Sequence, residues 1–524
     1  MAKKMNLALL VVLSLLLFCF AVPLEAAQVK PGSEVLMESR HELIKGKRVG
    51  LVTNQSGVNS RGESTIDILA GDGDVQLAAL YAPEHGLDGK APAGEYVASY
   101  THPTLSIPVY SLYGETRMPT QEMLAGIDLL LFDVQDIGAR SYTYMSTLNY
   151  CLVAAQKNNI PVIVLDRPNP VGGLIVEGPV LAEPYRSFVG VDNLPVAHGM
   201  TAGELARFFN RKIGADLTVV PMEGYNRSMI FQDTGLKWVA TSPKISDLDA
   251  VFGYMATGLG EGTGVYQADN FKWIGGKGID AAKFAALLNQ SGLPGVVFKP
   301  EVKGAAGGVR LQITDYHRFN PALTGLYALT CAHSLNNFAV PKSGPTLVMF
   351  DKIMGTDKIG GYLEAGLTAG QIQALYQPEL DRFKEERQQY LIYGDGQDAP
   401  PAADRGVINV LVDGRAVSFD VPPYIDQNGR VMVPLRAIAE ALGAKAEWNG
   451  QTREVTISGA GQMSTFTIDS STAFYNGTKV QMDTSPVIRS GRAMLPARYA
   501  AESLGSSVSW NADTRTVSIE SPKK

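Results

Sequence analysis

Glu84, in the run Pro83-Glu84-His85-Gly86, is the residue of this chain best suited to proton transfer. A carboxyl group placed where an apolar segment stops is partly stripped of water. Desolvation raises a carboxylic pKa towards that of a general acid, one able to protonate a leaving oxygen. Cleavage of a glycosidic bond by that route asks for a second carboxylate, to stabilise an oxocarbenium-like centre or to orient water. Asp133, Asp136, Asp166 and Glu261 are available, and their order along the chain does not choose among them. Each has a plainer reading: Glu84 paired with His85 or Arg140, Asp166 paired with Arg167, Glu261 solvated in the glycine-rich connector 258–264. Other chemistries find less support. His85 and His198 lack the local spacing of a metal site, and no Gly-x-Ser-x-Gly elbow presents a nucleophilic serine, so neither a metal nor another cofactor is expected.

The elements that must hold these residues are short apolar runs alternating with helical patterns, the signature of a parallel sheet. Strands are predicted at 48–53, 75–81, 107–112, 129–133 and 161–165, and helices at 65–70, 120–125, 144–157 and 201–211, the last opening on a Thr-x-x-Glu capping box. The fold predicted is α/β, a doubly wound parallel sheet. Each strand runs out into polar residues: Asn54 and Gln55 after the first, then Glu84 and His85, then Tyr113, then Asp133 to Arg140, then Asp166, Arg167 and Asn169. Parallel strands end on one side, so these groups are expected to converge on a single cleft. Tyr142, Tyr144 and Trp273 are candidates to stack on a sugar ring, with burial in the core as the alternative.

The 524 residues, 45% apolar and 19% charged, suffice for two or three globular units. A formal net charge of -6 and the absence of Lys/Arg runs with interleaved aromatics argue against a nucleic-acid partner. Lys3 and Lys4 before an apolar run from Leu7 to Val22 and small residues at Ala26 and Ala27 have the layout of an export signal, with an uncleaved anchor as the alternative; the expected location is secreted or cell-envelope associated. Cys151 and Cys331 read as free thiols rather than a disulfide framework. Near the C-terminus, the segment from Gly429 recurs from Gly491, and Trp448-Asn449 recurs as Trp510-Asn511, at one offset of 62 residues. The organisation predicted is a signal at 1–27, a Rossmann-like domain at 35–240, an auxiliary α+β region at 241–393, a linker at 394–406, and two repeats sharing one small α+β core at 407–522.

Several long motifs, in order, carry a family resemblance. Pro83-Glu84-His85-Gly86, Asp133 to Arg140 with Tyr142-Thr-Tyr144, Leu165-Asp-Arg-Pro-Asn-Pro170, Glu177-Gly-Pro179, Ser187-Phe-Val-Gly190 and His198-Gly-Met-Thr-x-Gly-Glu204 together resemble the secreted exo-β-N-acetylmuramidases of bacteria. The resemblance runs from about Val35 to Gly394. It implies a Rossmann-like domain completed by an auxiliary one, release of N-acetylmuramic acid from non-reducing ends of peptidoglycan fragments, and Glu84 as a catalytic residue. The catalytic set expected is then Glu84, Asp136, Asp133 and Glu261. The substrate-binding set is His85, Asn54, Gln55, Arg140, Tyr142, Asp166, Arg167, Asn169, His198 and Lys272, with Arg140 or Lys272 as the cation that a lactyl carboxylate wants. The repeats resemble the domain named after the N-terminal region of copper amine oxidases, with no copper implied; the roles open to them are attachment, to the cell wall, or packing. The functions in competition are an exo-acting glycosidase, a wall-binding protein that holds a sugar without cutting it, and an esterase or amidase acting on wall substituents.

Overall fold

Apolar runs without a polar face are what a strand covered on both sides requires, and in the computed structural model all five predicted strands form, with ends displaced by at most one residue. The structure describes residues 28–395 and, apart from short gaps at 418, 420, 422, 426–429, 460, 490–491 and 512–515, residues 408–522. The expected export signal and nearly all of the expected linker lie outside the described residues. The chain divides into two units, 1–396 and 397–524.

In the first unit β1 (Arg48–Thr53), β2 (Gln76–Ala82), β3 (Tyr100–Thr101), β4 (Pro108–Ser111), β5 (Leu129–Asp133), β6 (Val162–Leu165) and β7 (Leu217–Val220) form one sheet in the order β3-β4-β2-β1-β5-β6-β7. All pairings are parallel except that of β3, a two-residue antiparallel edge. β7, Leu-Thr-Val-Val, is not among the strands predicted, and only Val220 of its four residues is buried. Successive side chains divide between two cores, as the pleat dictates. Leu129 and Leu131 of β5 and Ile163 and Leu165 of β6 pack with Val35 and Leu36 of α1 (Gly32–Ser39) and Leu69 of α2 (Thr65–Ala70). Leu130, Phe132, Val162 and Val164 pack instead with Leu148 and Leu152 of α4 (Tyr144–Asn158) and Phe208 and Phe209 of α5 (Ala202–Ile213), and with Leu124 of the short α3 (Gln121–Leu124). The sheet is therefore wound on both faces. Cys151 is buried in α4, and neither it nor Cys331 is paired among the described residues.

The chain runs outward from β1 to β2 and β4, then returns to place β5 on the other side of β1. Strand order thus reverses between β1 and β5, where a doubly wound sheet opens a crevice at its carboxyl edge. That edge is held by buried charge. Asp133, fully buried at the end of β5, accepts from both Nε and Nη2 of Arg167 after β6, the latter at 3.0 Å, and from Thr65 Oγ1 at the start of α2. Thr53 Oγ1 at the end of β1 donates to the Asp133 carbonyl at 2.8 Å.

The second half of the unit begins with α6 (Leu248–Gly258) and a four-stranded antiparallel sheet of order β10-β11-β9-β8, made of β8 (Val265–Ala268), β9 (Trp273–Lys277), β10 (Val296–Lys303) and β11 (Ala306–Ile313). The helices α7 (Ala281–Gln290), α8 (Pro321–Asn336), α9 (Met349–Met354), α10 (Lys358–Glu364) and α11 (Ala369–Glu386) complete it. Its core is continuous with that of the first sheet: Phe252, Ile274, Phe284, Leu329 and Leu380 belong to the same buried cluster as Phe132 and Leu152. Tyr393 then stitches the chain back, its hydroxyl donating to Asp166 Oδ2 at 2.7 Å and accepting from Met222 N at 2.8 Å.

In the second unit each repeat places a helix directly after its proline, Leu435–Ala441 after Pro434 and Ala497–Glu502 after Pro496. Strand Val431–Pro434 of one repeat pairs with Arg492–Pro496 of the other, and Ile438, Ile457, Ala500 and Val517 share one buried cluster.

Removing one partner of a buried ion pair leaves the other charge unpaired, at a cost of about 3–5 kcal/mol. Asp133→Ala is therefore expected to lower unfolding free energy by that amount in urea titrations, far more than Asp128→Ala, which breaks only the exposed pair with Arg48.

Candidate active site

β2 delivers Glu84 to the carboxyl edge, and the following loop folds back over it. His85 and Gly86 both lie in the left-handed region, at φ 73 and 80°. Glycine adopts that conformation freely, whereas for His it is strained, a cost that surrounding contacts must offset. Here they do. His85 Nδ1 lies 2.6 Å from the Ala91 carbonyl, which can only accept, so Nδ1 carries the proton; Ala91 N returns a bond to His85 O at 3.1 Å. The loop so closed presents Gly94 N to Glu84 Oε1 at 2.9 Å, while Thr143 Oγ1 donates to Oε2. Glu84 is 7% exposed, and its carboxyl group is fixed at both oxygens.

The loop after β5 brings Asp136 into the same edge. Its Oδ2 accepts from Gly138 N at 2.8 Å and lies 3.1 Å from His198 Nε2. Because Met200 N donates to His198 Nδ1, the His198 proton is on Nε2 and is given to Asp136. Asp136 Oδ1 is buried and accepts from no group among the described residues.

Facing these loops is a cavity of about 320 Å³, lined by Ala93, Ser141, Lys244, Tyr254, Glu261, Tyr266, Phe271 and Ile353 among others. Tyr254 stands on the cavity wall, its hydroxyl accepting from Ser141 Oγ at 3.4 Å. Its hydroxyl is pushed up to about 12, chiefly by burial, with the Ser141 hydrogen bond opposing and the negative charges of Glu261, Glu84 and Asp136 adding to the rise. Glu261 stands on the turn between α6 and β8, where Gly262 and Gly264 both have φ 86°. That loop leaves a helix and enters a strand, the reverse of a dinucleotide loop, which leaves a strand and enters a helix. Phe271 closes a turn in which Asp269, Asn270 and Phe271 are all left-handed, and its carbonyl presses so closely on α6 that a Cβ at Gly253 would meet it at 2.1 Å.

Other residues expected at the site are spent on the scaffold. Arg140 is buried and donates only to carbonyls, to Pro179 at 2.8 Å, Leu194 at 2.6 Å and Ile353; burial lowers its pKa to about 9, which leaves it a cation at neutral pH. It ties three loops together and does not face the cavity. Lys272 is paired with Asp247 at 2.6 Å. This corrects both cations nominated for a substrate carboxylate. Asp133 and Arg167 satisfy each other, Asn169 caps its own turn through Val171 N, and Asn54 holds Ser56 through N and Oγ. Gln55 donates to the carbonyls of Ala240 and Thr241, and Tyr142 bonds to Thr241 Oγ1 at 2.7 Å. Tyr142, Tyr144 and Trp273 are all buried, so none offers a face to a sugar. Asp166, also fully buried, accepts from Thr201 Oγ1, Gly203 N and Tyr393 at the start of α5. Of the residues expected at the site, the structure sets Glu261 on the cavity wall, pairs Asp136 with His198, and holds Glu84 and His85 at the base of the loop whose Ala93 lines the cavity; it adds Ser141, Lys244, Tyr254 and Phe271 to that wall, whose positions in loops or on an apolar helix carried no local signal.

Fold and site together define a glycosidase of the doubly wound α/β class. The sequence matches the family model described as exo-β-N-acetylmuramidase NamZ, N-terminal, over residues 49–249 and its C-terminal counterpart over 252–393. The chain belongs to the exo-β-N-acetylmuramidase family. It is 42% identical over 383 residues to the peptidoglycan β-N-acetylmuramidase NamZ of Bacillus subtilis, covering 70% of this chain and 92% of the relative. Two crystal structures of proteins from Bacteroides fragilis, described as DUF1343 family members, superpose on 70% of this chain: one with TM-score 0.63 at 35% identity over 99% of its length, the other with TM-score 0.54 at 25% identity over 100%. Residues 411–519 match the copper amine oxidase N-terminal domain.

Burial, the largest cause, raises the Asp166 carboxyl to about 6, against an ordinary value near 3.9. The native state thus holds this proton more tightly than the unfolded chain does, so the contribution is present below about pH 4 and is lost as pH rises through 6. The stability difference between wild type and Asp166→Asn, measured by urea unfolding, is expected to fall by up to about 3 kcal/mol between pH 4 and pH 7.

Proposed function

We propose that this chain is an exported exo-acting glycoside hydrolase that releases N-acetylmuramic acid from non-reducing ends of peptidoglycan fragments, with Glu84 protonating the glycosidic oxygen. The observation that carries this is a buried Glu84, held by Gly94 N and Thr143 Oγ1, in the loop whose Ala93 lines the same cavity as Glu261. Of these acids Glu84 is the one positioned through both oxygens, which suits a group that must meet a single leaving oxygen in a fixed direction. Glu261, exposed on the cavity wall, serves as the second carboxylate, and Asp136, oriented by His198, keeps a buried Oδ1 that no group among the described residues fills. A cavity of about 320 Å³ stands at the small end of ligand sites, about 300–1,000 Å³, and suits one terminal sugar better than the middle of a glycan strand, which supports exo action. Among the described residues no group of three His, Cys, Asp or Glu is placed to hold a metal, and the reading needs none.

The export and wall-attachment parts of the reading rest on other features. Lys3, Lys4 and the apolar run after them support export. Attachment is supported by a concave surface of about 270 Å³ in the C-terminal unit, where Trp448 stands 46% exposed beside Arg436, Glu447 and Ile488, and by Trp510, 41% exposed at the equivalent place in the second repeat. An indole that is half wet offers an apolar face to a sugar ring and a polar edge to water.

Purified protein is expected to release the chromophore from a chromogenic N-acetylmuramic acid β-glycoside, and Glu84→Gln, near-isosteric, to lower kcat by about a thousandfold while leaving the melting temperature within a few degrees. Binding of N-acetylmuramic acid without any turnover by the wild type would identify a sugar-holding protein instead. Trp448→Ala is expected to weaken sedimentation of the full chain with insoluble cell walls severalfold while hydrolysis of the soluble glycoside stays at the wild-type rate.

A further inference from the structure

N-acetylmuramic acid differs from N-acetylglucosamine by one group, a lactyl ether that carries a carboxylate. An enzyme that takes the first and leaves the second needs a cation in its sugar pocket, and most cations near this cleft are already engaged. Arg167 is held by Asp133, Lys272 by Asp247, and Arg227 by Glu204, while Arg140 and Arg387 are buried against backbone carbonyls. Lys244 is different. It lines the cavity together with Glu261 and Tyr254, its side chain is exposed, and it forms no ion pair among the described residues.

The loop that carries Lys244 is secured by unusual means. Three polar side chains from the carboxyl edge of the large sheet reach over and grip residues 240 and 241, just before it. Gln55 Nε2 donates to Ala240 O at 2.7 Å and to Thr241 O at 3.2 Å, Tyr142 OH bonds to Thr241 Oγ1 at 2.7 Å, and Tyr144 OH donates to Thr241 O. Thr241 is fully buried by this grip and Ser242 nearly so. On the far side Ile245 is buried and bonded to Ser242 O and Trp238 Nε1, and Asp247 caps α6 through Ala250 N, so Lys244 is exposed on a segment fixed on both sides. Gln55 and Tyr142 have the residue types of sugar ligands, yet the Gln55 amide nitrogen and the Tyr142 hydroxyl are spent on this loop, which is intelligible if what the loop delivers matters.

We propose that Lys244 binds the lactyl carboxylate of the terminal N-acetylmuramic acid and so sets the choice between muramyl and glucosaminyl substrates, with Gln55, Tyr142 and Tyr144 as the residues that position it. This rests on the glycosidase reading of the same cavity. A lysine suits the task, since its ammonium is a point charge on a flexible stem that can follow a mobile lactyl group and meet its carboxylate in a charge-assisted bond. The rival cation is Arg117, which lies 3.9 Å over the Tyr113 ring and 4.4 Å over that of Phe188, outside the cavity lining.

The test compares the chromogenic β-glycosides of N-acetylmuramic acid and N-acetylglucosamine in wild type, Lys244→Met, Lys244→Arg and Arg117→Met, alongside calorimetric binding of the two free sugars. Lys244→Met is expected to raise KM for the muramyl glycoside tenfold or more with kcat nearly unchanged, to leave whatever turnover of the glucosaminyl glycoside the wild type shows as it was, and to lose the affinity difference between the free sugars. Lys244→Arg should restore much of it. Equal changes for both sugars, or loss of discrimination in Arg117→Met but not in Lys244→Met, would overturn the assignment. If the wild type binds but does not cut, the calorimetric arm alone still decides the role of Lys244, and only the hydrolytic reading falls.

Discussion

The buried pair of Asp133 and Arg167 is the contact on which the working edge of this protein depends. Neither charge reaches water, so each has lost its hydration, and the loss is offset only because the guanidinium meets the carboxylate with two donors while Thr65 supplies a third. Such a pair adds little to stability compared with an apolar substitute, but it tolerates only one arrangement. That arrangement joins the ends of β5 and β6 to the start of α2, and Thr53 brings the end of β1 to the same point. Once the ends of β1, β5 and β6 are locked together, the loops that leave them have fixed origins, and the crevice between β1 and β5 has a defined width.

From those origins the polar residues divide into two groups by how their hydrogen bonds are filled. Asp133, Arg167, Asp166, Asn169 and Arg140 have their polar atoms turned to the protein and act as struts. Glu84 is held at both oxygens by the loops around it, Asp136 is held at one oxygen only, and Glu261 stands exposed on the cavity wall. Strain is concentrated beside this second group. His85 next to Glu84, and the three left-handed residues Asp269, Asn270 and Phe271 at the cavity rim, hold conformations that ordinary packing avoids. Residues kept in such conformations cluster where a side chain must be aimed, and here Phe271 lines the cavity while His85 adjoins Glu84.

The continuity of the core explains how two regions of different architecture make one site. Because Phe252 and Leu380 pack in the same cluster as Phe132 and Leu152, α6 cannot move independently of the large sheet, and Tyr254 on that helix stays against Tyr142, beside the Glu84 loop. A cavity walled by both regions then keeps its shape without a disulfide; neither cysteine of the unit is paired among the described residues.

The order and extent of the five inner strands, the helices between them, the 62-residue repeat and the family motifs were all legible in the amino-acid sequence, because each depends on local periodicity or on short runs of fixed residue type. The assignment of roles within the cleft was not. Glu84 and Glu261 were visible as candidates, but Arg140, Lys272, Gln55, Tyr142 and Asp166 read as site residues and turned out to be bonded to the scaffold, while Lys244 and Tyr254 went unnoticed. The reason is physical: what a polar side chain does depends on which partner fills its hydrogen bonds, and those partners lie far along the chain, 34 residues for Asp133 and Arg167, 99 for Tyr142 and Thr241, 185 for Gln55 and Ala240. Periodicity places a residue at the end of a strand; only the folded chain decides whether it meets substrate or another part of itself.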